Sequence, residues 1–178
     1  MIYFVNSLTY LRFFLAVIIF LSIALLENFV LALILFFIAG LSDYFDGYLA
    51  RKYDAETDVG EILDPIADKV LIVFLFFALA LELNSVLVSL CGSLIISREI
   101  WVSALRDYNA RRNNTRATKV TFIAKAKTSI QLFTIFIYLL GLSLKIMLLT
   151  VIGDILLITS LLVTLYTGYE YTINSFKN

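Results

Sequence analysis

Four aspartates carry the chemical signal in this sequence. Asp43 and Asp46 stand three residues apart, and Asp64 and Asp68 four apart. On a helix, those spacings put each pair on one face. Carboxylates crowded together repel unless protons or cations neutralise them. Oxygen donors with no His or Cys among them suit hard divalent ions such as Mg²⁺, Mn²⁺ or Ca²⁺. Two such ions would balance four negative charges, and a paired-metal site suits phosphoryl chemistry because it clamps the attacking and leaving oxygens. Gly47 directly follows Asp46 and removes a side chain beside that face, which lets a phosphate approach the helix backbone. Ala50 keeps the next turn low, and Arg51 is suited to holding a phosphate. One intramembrane Asp is often only a packing hydrogen bond, and one Gly only a close helix contact. Four Asp with a Gly and an Arg at these spacings favour the metal reading.

The elements that must position them are membrane helices. The chain has 178 residues, 61% of them hydrophobic and 16% charged, with a mean hydropathy of +0.94. Soluble domains are about half apolar and a quarter charged, so neither a soluble globule nor a disordered chain fits. Six segments are long and apolar enough to span a bilayer: residues 8–26, 29–49, 62–83, 86–105, 122–142 and 146–169. The expected fold is all-α, a six-helix transmembrane bundle forming one integral membrane domain over residues 1–178. Asp43 and Asp46 end the second segment, and Asp64 and Asp68 begin the third. The two segments run antiparallel across a short connection, so both pairs lie at similar depth. Ionisable residues inside spans are costly and mark function by default.

Basic residues set the orientation. Arg51 and Lys52 lie in one connection, and Arg106, Arg111, Arg112, Arg116 and Lys119 in another. The opposite side has only Lys145. Both termini are therefore expected in the cytoplasm. No signal-peptide or transit-peptide pattern is visible, which points to a bacterial cytoplasmic membrane. The 14 basic and 14 acidic residues balance, so no net basic footprint draws the chain to nucleic acid. The absence of histidine removes imidazole catalysis and imidazole zinc sites, and a lone Cys91 permits no internal disulfide.

The sequence Asp-x-x-Asp-Gly-x-x-Ala-Arg, eight residues, Gly, three residues, Asp, three residues, Asp resembles the signature of the CDP-alcohol phosphotransferases. Asp43, Asp46, Gly47, Ala50, Arg51, Gly60, Asp64 and Asp68 fill it without departure. Further stretches resemble the branch of that family that makes phosphatidylglycerophosphate: NSLTYLR from Asn6, LDPIADKVL from Leu63, SREIWVSALRD from Ser97 and AKAKTSIQ from Ala124. The resemblance implies a six-helix bundle with a cytoplasm-facing polar cavity and a homodimer. It implies that Asp43, Asp46, Asp64 and Asp68 bind two divalent cations, Mg²⁺ or Mn²⁺, and that Asp68 is also the general base. It places Gly47 and Arg51 against the donor nucleotide and its phosphates. The implied donor is CDP-diacylglycerol and the implied acceptor glycerol 3-phosphate, giving phosphatidylglycerophosphate and CMP.

Arg98, Arg106, Lys125 and Lys127 are the expected phosphate-binding residues for that acceptor. The plainer role for Arg98 is an ion pair with a metal-site carboxylate or with Glu99. Lys125 and Lys127 are two apart, so on a helix they point different ways and at most one of them faces the cavity. Asn6, Thr9 and Arg12 repeat at helical spacing on one face. They read either as an N-terminal cap and interfacial anchor or as a wall of the nucleotide cavity, with Asn6 and Thr9 on the donor. Two other functions compete. The same donor site could serve another acceptor, such as serine or inositol phosphate. A small divalent-cation transporter could use the aspartates as its ion site, although carboxylates clustered beside Arg51 do not line a pore. A non-catalytic scaffold would have no use for four intact aspartates.

Overall fold

In a computed structural model, the described backbone covers residues 2–52, 58–112 and 122–176. Side chains are described throughout these stretches apart from residues 2–8, 46–51, 58–62, 64, 65 and 122–125. Six helices make up these residues: α1 Ile2–Ala24, α2 Phe29–Lys52, α3 Asp58–Glu82, α4 Val86–Arg111, α5 Phe122–Leu144 and α6 Met147–Phe176. Most run past the apolar segments expected from the sequence. α4 reaches Arg111, so Arg106 belongs to a helix and not to the loop after it, a correction to the expected end near residue 105. The reason is physical: loss of hydrophobicity marks where lipid ends, whereas backbone hydrogen bonding carries the helix on into polar surroundings.

Three tight turns pair the helices as hairpins. Glu27, Asn84 and Lys145 each adopt a left-handed backbone, with φ of 49°, 43° and 56°. Asn84 and Lys145 allow the following N–H to reach back five residues, from Ser85 to the Ala80 carbonyl and from Ile146 to the Gly141 carbonyl. This reverse bond satisfies carbonyls that a helix end leaves open. The next helices start on side-chain caps: Asn28 Oδ1 accepts from the Leu31 N–H at 3.1 Å, and Ser85 Oγ from the Val88 N–H at 3.3 Å.

The helices close a ring in the order α1, α2, α5, α6, α4, α3, with an inner contact between α3 and α5. Among the described residues, the backbones of α2 and α3 do not approach one another, nor do those of α4 and α5. α1 packs on both α2 and α3. Its inward stripe of Thr9, Arg12, Ala16, Ile19 and Ile23 repeats at three and four residues and is almost wholly buried. Leu75, Phe76 and Leu79 of α3 and Ile135, Tyr138 and Leu139 of α5 complete the apolar core. Polar links join α4 to α6: Trp101 Nε1 donates to Thr172 Oγ1 at 2.9 Å, and Asn109 Nδ2 to Ser175 Oγ at 2.8 Å. In lipid, such bonds and close packing hold helices together, because burial from hydrocarbon supplies no hydrophobic gain.

The outer surface is apolar. Leu25, Val86, Met147, Phe14 and Tyr169 are all more than 65% exposed, a surface that a water-soluble monomer does not tolerate. α4, α6 and the described part of α5 (Ala126–Leu144) are each long and apolar enough to cross a membrane. The described apolar parts of α1 and α2 are the shorter stretches Thr9–Ala24 and Phe29–Phe45.

Candidate active site

The hairpin arrangement puts all the chemical residues at one end of the bundle. The three tight turns stand at the other. Asp43 lies in the last half of α2 and Asp68 in the first half of α3. Arg12, the only charged residue of α1, bridges them. Its Nη1 donates to Asp43 Oδ1 at 2.6 Å and to Asp68 Oδ1 at 2.7 Å. Arg12 is 1% exposed, whereas the two carboxylates are 53% and 43% exposed. The structure thus brings Asp43 and Asp68 to one nitrogen, from two helices whose backbones stay apart. The side chains of Asp46, Gly47, Arg51 and Asp64 lie outside the described set, as do those of Asn6 and Lys125.

This geometry can be tested against a divalent cation. Two open carboxylates from different helices converge on a single positive centre, and all their donor atoms are hard oxygens. That donor chemistry fits Mg²⁺ or Mn²⁺. Among the described side chains alone, no group of three or more acidic or sulfur ligands forms. The described side chains bring two carboxylates together, Asp43 and Asp68.

Asp68 also stands on the wall of a cavity of about 280 Å³ between α3, α4, α5 and α6. The space opens where the backbones of α4 and α5 stay apart. Arg98, Arg106, Lys127 and Lys69 line it, and its acids are Asp68 and Glu99. Among the described residues, four cations stand against two acids, one of them already bridged by Arg12. Three of the four residues predicted to bind the acceptor, Arg98, Arg106 and Lys127, thus meet in one space with Asp68.

Arg98 and Lys127 are buried, and both reach Glu99. Arg98 Nη1 donates to Glu99 Oε1 at 3.0 Å, and Lys127 Nζ donates to the same oxygen. Glu99 is the plainer partner that the sequence offers Arg98, and the structure uses it while keeping Arg98 on the cavity wall. Arg98 Nη2 donates to Thr167 Oγ1 at 2.8 Å. The Arg106 guanidinium lies 5.3 Å from the Tyr171 ring centroid, and its Nη2 donates to the Tyr171 hydroxyl at 3.3 Å. Lys69, next to Asp68 in the chain, donates to Ser103 Oγ. Thr9 is buried in α1, one turn from Arg12. Arg111 pairs with Asp107 one turn back at 2.8 Å, and Arg112 lies over the Tyr108 ring. Neither reaches the cavity.

Sequence reasoning missed the bridging role of Arg12 and the part played by Thr167 and Tyr171. Arg12 did leave a signal. A lone cation in a helix with no acid of its own must find one on a neighbour. Thr167 and Tyr171 left none, because Thr and Tyr are ordinary residues in an apolar helix.

Comparison with known proteins shows the family. Residues 3–166 match the sequence profile of the CDP-alcohol phosphatidyltransferases. A Rickettsia bellii protein named CDP-diacylglycerol–glycerol-3-phosphate 3-phosphatidyltransferase is 39% identical over 142 residues, 79% of this chain and 76% of that protein. Proteins of the same name from Blochmanniella floridana and Escherichia coli K12 are 35% and 38% identical. Those matches cover 82% and 57% of this chain, and 76% and 56% of the two relatives. The profile spans both Asp43 and Asp68, Arg12 that joins them, and the cavity cations; this chain belongs to the CDP-alcohol phosphatidyltransferase family.

Proposed function

We propose that this protein transfers the phosphatidyl group of CDP-diacylglycerol to glycerol 3-phosphate, releasing CMP. The observation that carries this reading is the shared cavity. Asp68, a carboxylate of the family signature, faces the same space as Arg98, Arg106 and Lys127. An acceptor phosphate seated on the cations brings its alcohol toward the carboxylate. Serine, which has no phosphate, would leave Arg98 and Lys127 sharing one acid, Glu99, as their counter-charge. The names of the relatives support glycerol 3-phosphate as the acceptor.

Asp68 takes the proton of the acceptor's primary hydroxyl. The oxygen attacks the phosphorus bearing diacylglycerol and forms the new phosphoester bond. The bond from that phosphorus to CMP breaks, and CMP leaves with the electron pair. Arg98, Arg106 and Lys127 hold the acceptor phosphate and reduce a bimolecular encounter to an oriented one. Gly47 and Arg51, with Asn6 and Thr9, hold the donor nucleotide and its phosphates. Asp43, Asp46, Asp64 and Asp68 would hold two divalent cations, Mg²⁺ or Mn²⁺. When bound, these supply charge stabilisation of the pyrophosphate and activation of the alcohol. Arg12 keeps Asp43 and Asp68 aimed at a common point.

All six helices span the bilayer as one membrane domain. The chain sits as a homodimer in a bacterial cytoplasmic membrane, with both termini inside. Lys52, Arg111 and Arg112 lie at the chemical end of the bundle, and Glu27 and Glu82 at the other, which supports that orientation. The dimer rests on the family resemblance.

The test is CMP release from CDP-diacylglycerol by the purified protein in detergent. Glycerol 3-phosphate, inositol phosphate and serine are compared, with and without EDTA. Divalent-dependent release with glycerol 3-phosphate, exceeding the other two, is expected. Release with serine alone, or none with any acceptor, would overturn the reading. Asp68→Asn should lower turnover by about 10²–10⁴-fold, the range of general-base catalysis.

A further inference from the structure

The family match ends at residue 166, yet the next turn and a half of α6 holds two of the cavity's cations. Thr167 donates its own hydroxyl proton to the α6 backbone, to the Val163 carbonyl at 2.9 Å or the Thr164 carbonyl at 3.0 Å. Its oxygen is thereby left as an acceptor for Arg98 Nη2. Gly168 makes room for the Arg98 stem. A Cβ at that position would lie 2.9 Å from Arg98 Cγ and 3.0 Å from Nε. Cγ belongs to the stem and Nε to the guanidinium itself, so relieving the overlap moves the guanidinium. Tyr171, almost fully buried, lies 5.8 Å from the Arg98 guanidinium and 5.3 Å from that of Arg106. With Glu99 on Nη1 and Thr167 on Nη2, the plane of Arg98 is fixed from both sides. Two of its five N–H donors are then engaged by these residues.

We propose that Thr167, Gly168 and Tyr171 are positioning residues that set Arg98 and Arg106 as a phosphate clamp. In this way α6 selects a phosphorylated alcohol as acceptor. The inference rests on the acceptor reading above. A guanidinium ordered before the ligand arrives loses less freedom on binding, and planar two-point contact with a phosphate depends on its orientation.

Gly168→Ala, Thr167→Val and Thr167→Ser are compared with the unmodified protein. Gly168→Ala and Thr167→Val should each raise KM for glycerol 3-phosphate about tenfold, while KM for CDP-diacylglycerol stays within about twofold. Thr167→Ser keeps the accepting oxygen and should restore the unmodified KM. The thermal unfolding midpoint in detergent is followed in parallel and needs no activity. Gly168→Ala should lower it when Arg98 is present and leave it unchanged or raised in an Arg98→Ala background, where the overlap is gone and Ala favours the helix. An unchanged acceptor KM, an equal rise in both KM values, or the same midpoint shift in both backgrounds would overturn the proposal. If the unmodified protein releases no CMP with glycerol 3-phosphate, the acceptor reading fails, while the Gly168–Arg98 midpoint comparison still reports whether the two residues touch.

Discussion

The two halves of the site are built on opposite plans. Around α1 to α3, one buried cation, Arg12, lies between two open acids, Asp43 and Asp68. Around α4 to α6, one largely buried acid, Glu99, lies between two buried cations, Arg98 and Lys127. Open acids keep part of their hydration, and in the proposed reaction they are the side that takes up divalent ions. Buried cations cannot drift, since an unpaired charge in this setting is expensive. The first half is arranged to receive positive charge, and the second to present it. A reaction that brings together a metal-bound pyrophosphate and an anionic alcohol needs both.

That division can be broken experimentally. The largest effect is expected from Arg98→Ala, which empties the centre of the cation half. CMP release should fall by about 10²-fold or more at fixed acceptor concentration, as expected for loss of a charged phosphate contact worth a few kcal/mol. Arg12→Met should come next. It removes the bonds to Asp43 and Asp68, each a charge-assisted bond worth about 1.5–3 kcal/mol. The variant should need a different divalent-ion concentration for half-maximal activity, while the glycerol 3-phosphate KM holds within about twofold. Lys127→Met should do the reverse, raising the acceptor KM about tenfold and leaving the metal requirement alone. If Arg12→Met and Lys127→Met shift the same parameter, the two halves act as one unit. The smallest effect belongs to the far end of the bundle. There the Tyr138 hydroxyl donates to Asp154 Oδ1 at 2.7 Å, over the bare backbone of Gly153. Asp154→Asn preserves an accepting oxygen, so CMP release should stay within about twofold and stability should change by less than about 1 kcal/mol. A large loss of activity would mean that this remote acid communicates with the cavity.

The two halves also differ in how far they can be read from sequence. Asp43, Asp46, Asp64 and Asp68 sit within 26 residues, so local spacing alone announces a cluster. The clamp on Arg98 joins α4 to α6 across 69 residues, and no local pattern encodes that meeting. Arg98 was legible as a cation inside an apolar helix, and Arg106 and Lys127 as cations flanking the cytoplasmic ends of the fourth and fifth apolar segments. Glu99 was legible as a neighbour of Arg98, but not as its shared anchor with Lys127. The positions of Arg12 and Asp154 were visible, and their partners were not, because a partner depends on which helices become neighbours. Six helices joined by short turns were predictable from apolar length and turn residues. The ring that places α1 against both α2 and α3 was not, because several orders of six helices bury similar surface.

Arg12 and Asp43 belong to the same hairpin, and this bears on how the protein is made. A nascent chain delivers α1 and α2 to the bilayer as one antiparallel pair, joined by the turn at Glu27. The guanidinium meets an acid 31 positions later in the same pair, a contact that needs no residue of the third helix. Its insertion penalty is met locally, and the later arrival of Asp68 turns a two-body neutralisation into a bridge.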